Sequence, residues 1–165
     1  PEKNTCIGLQ ICYDLNFPEI SRNETLMGAE VLVKITLDPS ELRRINYHLH
    51  FARAVENQAF FISTNATGNY ISNLNYGNSM VIDPEGLLLW EAGEPPCNAV
   101  ITIDLDQVSR VRQYGSLHMD HYLQHLRDYN FPMPYANEVA KAPVFKNIKA
   151  TCQNIDQYLK ARKEL

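Results

Sequence analysis

The sequence predicts an α/β fold, and three observations lead there. Short apolar runs of strand length, Ile7–Ile11, Val31–Val33 and Ala59–Thr64, alternate with stretches of helical period. Turn chemistry stands at the junctions, in Asp38-Pro39-Ser40 and in Asp83-Pro84-Glu85-Gly86. The alternation of helix and strand along one chain is what α/β architectures show.

Taken in order, Ile7–Ile11 reads as a short buried strand that delivers Cys12 to its carboxyl end, where open α/β sheets place their chemistry. Pro18 suits a first helical position and Glu19 the positive first turn. A thiol near helix-terminal N–H groups ionises more readily, and the thiolate is the reactive form. Most cysteines that follow an apolar strand are inert core residues, so this placement alone decides nothing. The helix runs from Pro18 to Gly28, with apolar Ile20, Leu26 and Met27 and a glycine at the capping place. Ala29 to Leu37 is a strand, and a second helix follows from Glu41 to about Asn57 through Ile45, Leu49, Ala52 and Val55.

Ala59 to Thr64 is the next buried strand, and Asn65 to Tyr76 is a polar, glycine-bearing loop. Ser79–Ile82 and Leu87–Trp90 form a hairpin, Val100–Leu105 a further strand, and Asp106 or Ser109 opens a short helix. Beyond Tyr114 the pattern loosens. His118, His121 and His125 have helical spacing, Phe131 to Tyr135 is rich in proline, and Ile155–Leu165 is an amphipathic helix. The histidines lack a completing carboxylate or cysteine pattern, so a polar helix face or a subunit contact is preferred to a metal site.

The chain has 165 residues, the length of one ordinary domain, with 45% hydrophobic and 21% charged residues. A net charge of −4 gives no electrostatic footprint for nucleic acid or an anionic membrane. No apolar run approaches the ~20 residues of a membrane span, and no signal-peptide pattern opens the chain. Cys6, Cys12, Cys97 and Cys152 lack metal-finger spacing, which fits a reducing, cytoplasmic setting. The chain opens on Pro1 and enters a buried strand within a few residues, so a portion of a longer domain is expected.

Gly8-x-x-Ile11-Cys12-Tyr13-Asp14, followed by Phe17-Pro18-Glu19, resembles the nucleophile segment of the nitrilase superfamily, thiol amidohydrolases of non-peptide C–N bonds. The likeness continues, in the family's order, through Gly28–Val33, Ala52–Asn57, Asn65–Gly68 and Gly77–Gly86. It implies a four-layer α-β-β-α sandwich, present as an incomplete C-terminal portion in residues 1–113; the aromatic, proline-rich extension 114–165 is expected to serve as an oligomerisation arm.

It also implies Cys12 as nucleophile, attacking an amide carbon to give a thioester and ammonia, with water completing the hydrolysis. The Tyr13 backbone N–H and a lysine would hold the oxyanion. Thr36, Leu37 and Asp38 would line the substrate pocket. The family's glutamate base and its lysine lie upstream of the cysteine, outside these residues. Glu2 and Lys3 stand at the wrong end of the strand, with Lys3 roughly 30 Å from the thiol.

Turnover by these residues alone is therefore expected to be negligible. Asn16 stands where many members carry arginine, which looks closest to the aliphatic amidase and formamidase branch. The resemblance implies no cofactor and no metal. Its partners are a small amide, water and further copies of the chain. An N-carbamoyl compound or a nitrile is the alternative substrate, and a scaffold without the triad the alternative role. Lys34 is expected exposed or ion-paired, Arg53 and Glu56 as an internal ion pair, and Asn65 and Gly68 in a turn beside the active edge.

Overall fold

In the computed structural model, which describes residues 4–70, 73–129 and 138–146, the first apolar run forms β1 (Cys6–Ile11). The chain crosses back through α1 (Pro18–Leu26) to β2 (Ala29–Thr36), then through α2 (Arg43–Asn57) to β3 (Phe60–Asn65). All three strands are parallel, which is what helical crossovers permit. β4 (Thr67–Tyr70) and β5 (Asn73–Tyr76) form a separate antiparallel hairpin. β6 (Met80–Ile82) and β7 (Leu88–Glu91) then extend the main sheet antiparallel, in the order β1-β2-β3-β6-β7. α3 (Asp106–Tyr114) and α4 (Tyr122–Asp128) follow.

Pro18 opens α1 as its first residue, where its missing N–H costs nothing, and Gly28 leaves the helix at φ +107. The hairpin turn between β6 and β7 is held by Asp83, whose Oδ1 accepts from the N–H groups of Glu85 (2.9 Å) and Leu87 (2.8 Å). Contacts carry a first compact unit through Tyr129. In the second unit, residues 138–146 hold two short 3-10 turns, Val139–Lys141 and Pro143–Phe145.

The expected loop at Asn65–Tyr76 is the β4–β5 hairpin instead. Its polar side chains hide the alternation, but Asn75 Nδ2 donates to the Gly68 carbonyl across it (3.1 Å), and Ala66 N–H ties its start to the Thr36 carbonyl (3.1 Å). The expected strand at Val100–Leu105 joins no ladder among the described residues. Its alternate apolar residues Ile103 and Leu105 pack instead on Val31, Phe60 and Val108. Of the three spaced histidines only His125 lies within a helix. His118 sits in a turn at φ +58, and His121 precedes α4 with its ring 6.0 Å from that of His125. Lys3, Phe131–Tyr135, Cys152 and Ile155–Leu165 lie outside the described residues.

The sheet has two different faces. On one, Leu32, Phe61, Met80 and Ile82 pack with Leu15 and Ala54 into the main core. Burying a Phe or Leu side chain is worth about 1.5–3 kcal/mol, so this cluster supplies much of the adhesion between sheet and helices. The other face is covered by Val108, Ile103 and Leu105 over Val31 and Phe60. Nearer the carboxyl ends of β1 and β2 it is open, and Leu9, Ile11 and Ile35 are 67%, 70% and 58% exposed.

The α2 helix keeps part of the expected stripe: Leu49 packs against the main core and Val55 is half-buried. Ile45 and Ala52 face outward, and the inner stripe is Asn46, His50, Arg53 and Asn57, at steps of four, three and four. Each polar group on it must find a partner or remain neutral. Arg53 donates Nε and Nη2 to the Leu15 carbonyl (3.1 and 3.0 Å) and Nη1 to Glu56 (2.8 Å), so the expected ion pair is present. His50 lies flat against Phe61, with ring centroids 5.4 Å apart. Burial first, and the positive charge of Lys34 second, lower its pKa to about 3, outweighing the opposing pull of Asp38.

Three outcomes follow from this stripe and its partner Glu56. Arg53→Ala strands the Leu15 carbonyl and leaves a void, and is expected to cost about 3 kcal/mol in urea unfolding. Glu56→Gln, at the partly exposed end of the ion pair, should cost less than about 1 kcal/mol. For His50 the unfolded chain binds the proton more tightly than the folded one, so stability should rise with pH between about 3 and 6.5. His50→Leu should flatten that part of the stability–pH curve; an unchanged slope would contradict the assignment.

Candidate active site

At the carboxyl end of β1 the backbone turns sharply. Cys12 takes a left-handed conformation, φ +50, and begins a 3-10 turn, Cys12–Asn16, that leads into α1. A non-glycine residue held there costs on the order of 1–3 kcal/mol and persists only where its surroundings enforce it. The enforcement is visible. Ile11 N–H donates to Asp14 Oδ2 (2.9 Å), Phe17 N–H to the Asp14 carbonyl (3.1 Å), and Asn16 Nδ2 to the Tyr13 carbonyl (3.2 Å).

Beneath the turn, Leu15 is fully buried and its carbonyl accepts both nitrogens of Arg53. The tyrosine next to the thiol stands clear of the core: Tyr13 is 68% exposed and its ring meets Phe17 edge-on at 5.3 Å. Cys12 itself is a free, exposed thiol. A strained strand-to-helix turn is a general way to project a nucleophile from a sheet rim.

The neighbouring strand end is built the opposite way. Thr36 and Asp38 point inward, and Leu37 between them is half exposed. The Asp38 carboxylate accepts from Thr36 Oγ1 (2.6 Å), Asn46 Nδ2 (2.8 Å) and Tyr76 OH (3.5 Å), and is ion-paired with Lys34. Its backbone N–H donates to Asn65 Oδ1 (2.8 Å). Burial and the adjacent Asp38 carboxylate push the Tyr76 phenol up to about 12, so it keeps its proton and donates. Of the three residues expected to line a pocket, Leu37 alone presents its side chain outward. Lys34 is ion-paired, as one of the two expectations for it had it, and completely buried.

Asn65 ends β3 and braces the same rim. Its Nδ2 donates to the Gly77 carbonyl (3.0 Å), and its N–H to Ser79 Oγ (3.0 Å). Gly68 lies in β4 at φ +82 rather than in an open turn. Asn46 and Tyr76 were not legible as part of this cluster. One is a polar residue inside a helical pattern, the other closes what reads as a loop. The buried polar steps along α2 were the signal that could have found Asn46.

The grooves nearby are a 560 Å³ one beside Ser40, Arg43 and Tyr47 and a 170 Å³ one between Asn65 and Trp90; neither includes Cys12. Among the described residues no group of three His, Cys, Asp or Glu side chains could hold a metal ion, and no helix is long and apolar enough to cross a membrane.

Residues 3–113 match the family model of carbon-nitrogen hydrolases. Over 108 residues the chain is 37% identical to an (R)-stereoselective amidase of Pseudomonas sp, covering 65% of this chain and 39% of that protein. It is 37% identical over 109 residues to a deaminated glutathione amidase of Synechocystis (65% and 40%). With a 2-oxoglutaramate amidase of Bacillus subtilis it shares 40% over 105 residues (62% and 40%). The chain thus spans about 40% of the length of these curated relatives.

Among solved structures, Saccharomyces cerevisiae Nit3, a member of branch 10 of the nitrilase superfamily, superimposes with a TM-score of 0.61 at 30% identity, over 68% of this chain and 45% of that one. A mutant of the amidase from Nesterenkonia sp. AN1, whose active-site cysteine carries the acetamide moiety of fluoroacetamide, gives 0.53 at 32%, over 55% and 35%. The α/β fold, the order of its motifs and these likenesses agree: the chain belongs to the carbon-nitrogen hydrolase family.

Proposed function

We propose that this chain carries the nucleophile of a thiol amidohydrolase that cleaves the C–N bond of small linear amides. The observation that carries the reading is Cys12 itself, an exposed thiol in strained left-handed backbone at the end of a parallel strand, with its turn clamped from below. Amidase names among the relatives favour an amide over an N-carbamoyl compound or a nitrile.

In this reading the Cys12 thiolate attacks the amide carbon, and the carbonyl oxygen takes the negative charge. The Tyr13 backbone N–H, next along the chain, faces that charge. Removing one oxyanion donor of this kind typically costs about 3 kcal/mol in the transition state. The tetrahedral adduct collapses as the C–N bond breaks, and the nitrogen leaves with a proton as ammonia. Water then attacks the thioester, releasing the carboxylic acid and returning the thiol. A glutamate that moves these protons and a lysine that shares the oxyanion come, by family resemblance, from outside these residues.

Alkylation by iodoacetamide near pH 7, mapped by peptide mass spectrometry, tests the nucleophile. Cys12 should react at least about tenfold faster than exposed Cys6 and Cys97. Equal rates at the three thiols would contradict the reading. In the polypeptide that joins these residues to the family's glutamate and lysine, ammonia release from acetamide should be lost in Cys12→Ala. Residues 1–165 alone should release none.

A further inference from the structure

Arg53 spends two of its nitrogens on one oxygen. Nε and Nη2 both donate to the Leu15 carbonyl, at 3.1 and 3.0 Å, while Nη1 donates to Glu56 at 2.8 Å. Arg53 is 4% exposed and Leu15 is wholly buried. One donor is enough to satisfy a buried carbonyl. Apolar residues of similar volume often replace a buried ion pair without loss. A planar fork that fills both lone pairs has a further effect: it sets the direction and the tilt of the C=O, and with them the peptide plane.

That plane belongs to the nucleophile's own turn. Leu15 is the fourth of the five residues of the 3-10 turn Cys12–Asn16. With about three residues per turn, Leu15 stands one turn on from Cys12. The Tyr13 N–H lies in the peptide that opens the turn, and N–H groups there are not used inside it. Asp14 and Asn16 clamp the turn from within, through the Ile11 N–H and the Tyr13 carbonyl. Arg53 ties it to a separate element, α2.

Resting on the amidase reading, we propose that Arg53 is a positioning residue for the reaction: its fork holds the Cys12–Asn16 turn so that the Tyr13 N–H points at the oxyanion. Arg53 touches no substrate. It acts on the charge that forms in the transition state, while the access and the ionisation of the thiol do not depend on it.

The test uses the polypeptide that joins this chain to the family's glutamate and lysine, and follows two reactions of Cys12. Hydrolysis of acetamide passes through an oxyanion. Alkylation by iodoacetamide does not, because the thiolate simply displaces iodide. Arg53→Lys keeps a charge beside Glu56 but exchanges the planar fork for a point-like ammonium. In the folded variant kcat should fall about thirtyfold, part of the loss typical of a whole oxyanion donor. KM should stay within about twofold, as expected when only the transition state is affected. The rate of alkylation at Cys12, divided by that at exposed Cys97, should be unchanged. Glu56→Ala frees Nη1 and should show the same pattern at about threefold; it serves if Arg53→Lys does not fold.

An arginine that merely maintains the site as a whole would lower alkylation and hydrolysis together, which overturns the proposal. So does a folded Arg53→Lys variant with undiminished kcat. If the unsubstituted polypeptide releases no ammonia from acetamide, or Cys12→Ala releases as much, the amidase reading itself fails and takes this inference with it.

Discussion

The guanidinium of Arg53 against the carbonyl of Leu15 is the contact on which the Cys12 rim rests. A strained residue is only as stable as the groups that hold its neighbours, and among the described residues Cys12 has no side-chain hydrogen bond to hold it in the left-handed region. The turn after it is fixed instead at both levels: by Asp14 and Asn16 above, and by a buried arginine reaching from α2 below. Arg53 is in turn held by Glu56, one helical step along. Strain at the sulfur is thus balanced by a polar contact deep in the molecule, and the second helix becomes part of the site without approaching the thiol.

That explains why polar residues share the inner side of α2 with Leu49 and Ala54. Asn46 serves Asp38, Arg53 serves Leu15, and Asn57 donates back to the Arg53 carbonyl at 2.9 Å. His50 is tolerated between them as a neutral ring stacked on Phe61. Each of these groups would be a liability in an ordinary core. Together they let one helix brace two adjacent strand ends, β1 by way of Leu15 and β2 by way of Asp38. The underside of the rim is hydrogen-bonded rather than merely packed.

Much of the fold was legible in the sequence. The strand before Cys12, Pro18 at the helix start, Gly28 at its end and the Asp83 turn all follow from local chemistry, but the burial expected of that strand fails on its open face, where Ile7, Leu9 and Ile11 are exposed. The errors came where pattern and burial part company. In α2 the apolar residues Ile45 and Ala52 lie on the outer side while Leu49 packs inward, because polar bracing takes much of the inner side. In the β4–β5 hairpin, asparagine and threonine side chains make the contacts that apolar alternation would advertise. Ile103 and Leu105 have the spacing of a strand, yet use it to cover the sheet rather than to join it. Cys12 was legible from its sequence neighbours, while the Lys34–Asp38–Asn46–Tyr76 cluster draws on four elements and had no local signature.

As nucleophile, Cys12 would take up an acyl group on its sulfur. The most direct measurement is mass spectrometry of the complete polypeptide, acid-quenched during turnover of a small amide. The acyl mass is expected on the peptide that contains Cys12, removed by hydroxylamine as a thioester is. Formation of ammonia and carboxylic acid with no acyl group ever found on that peptide, or with the adduct on another residue, would contradict it.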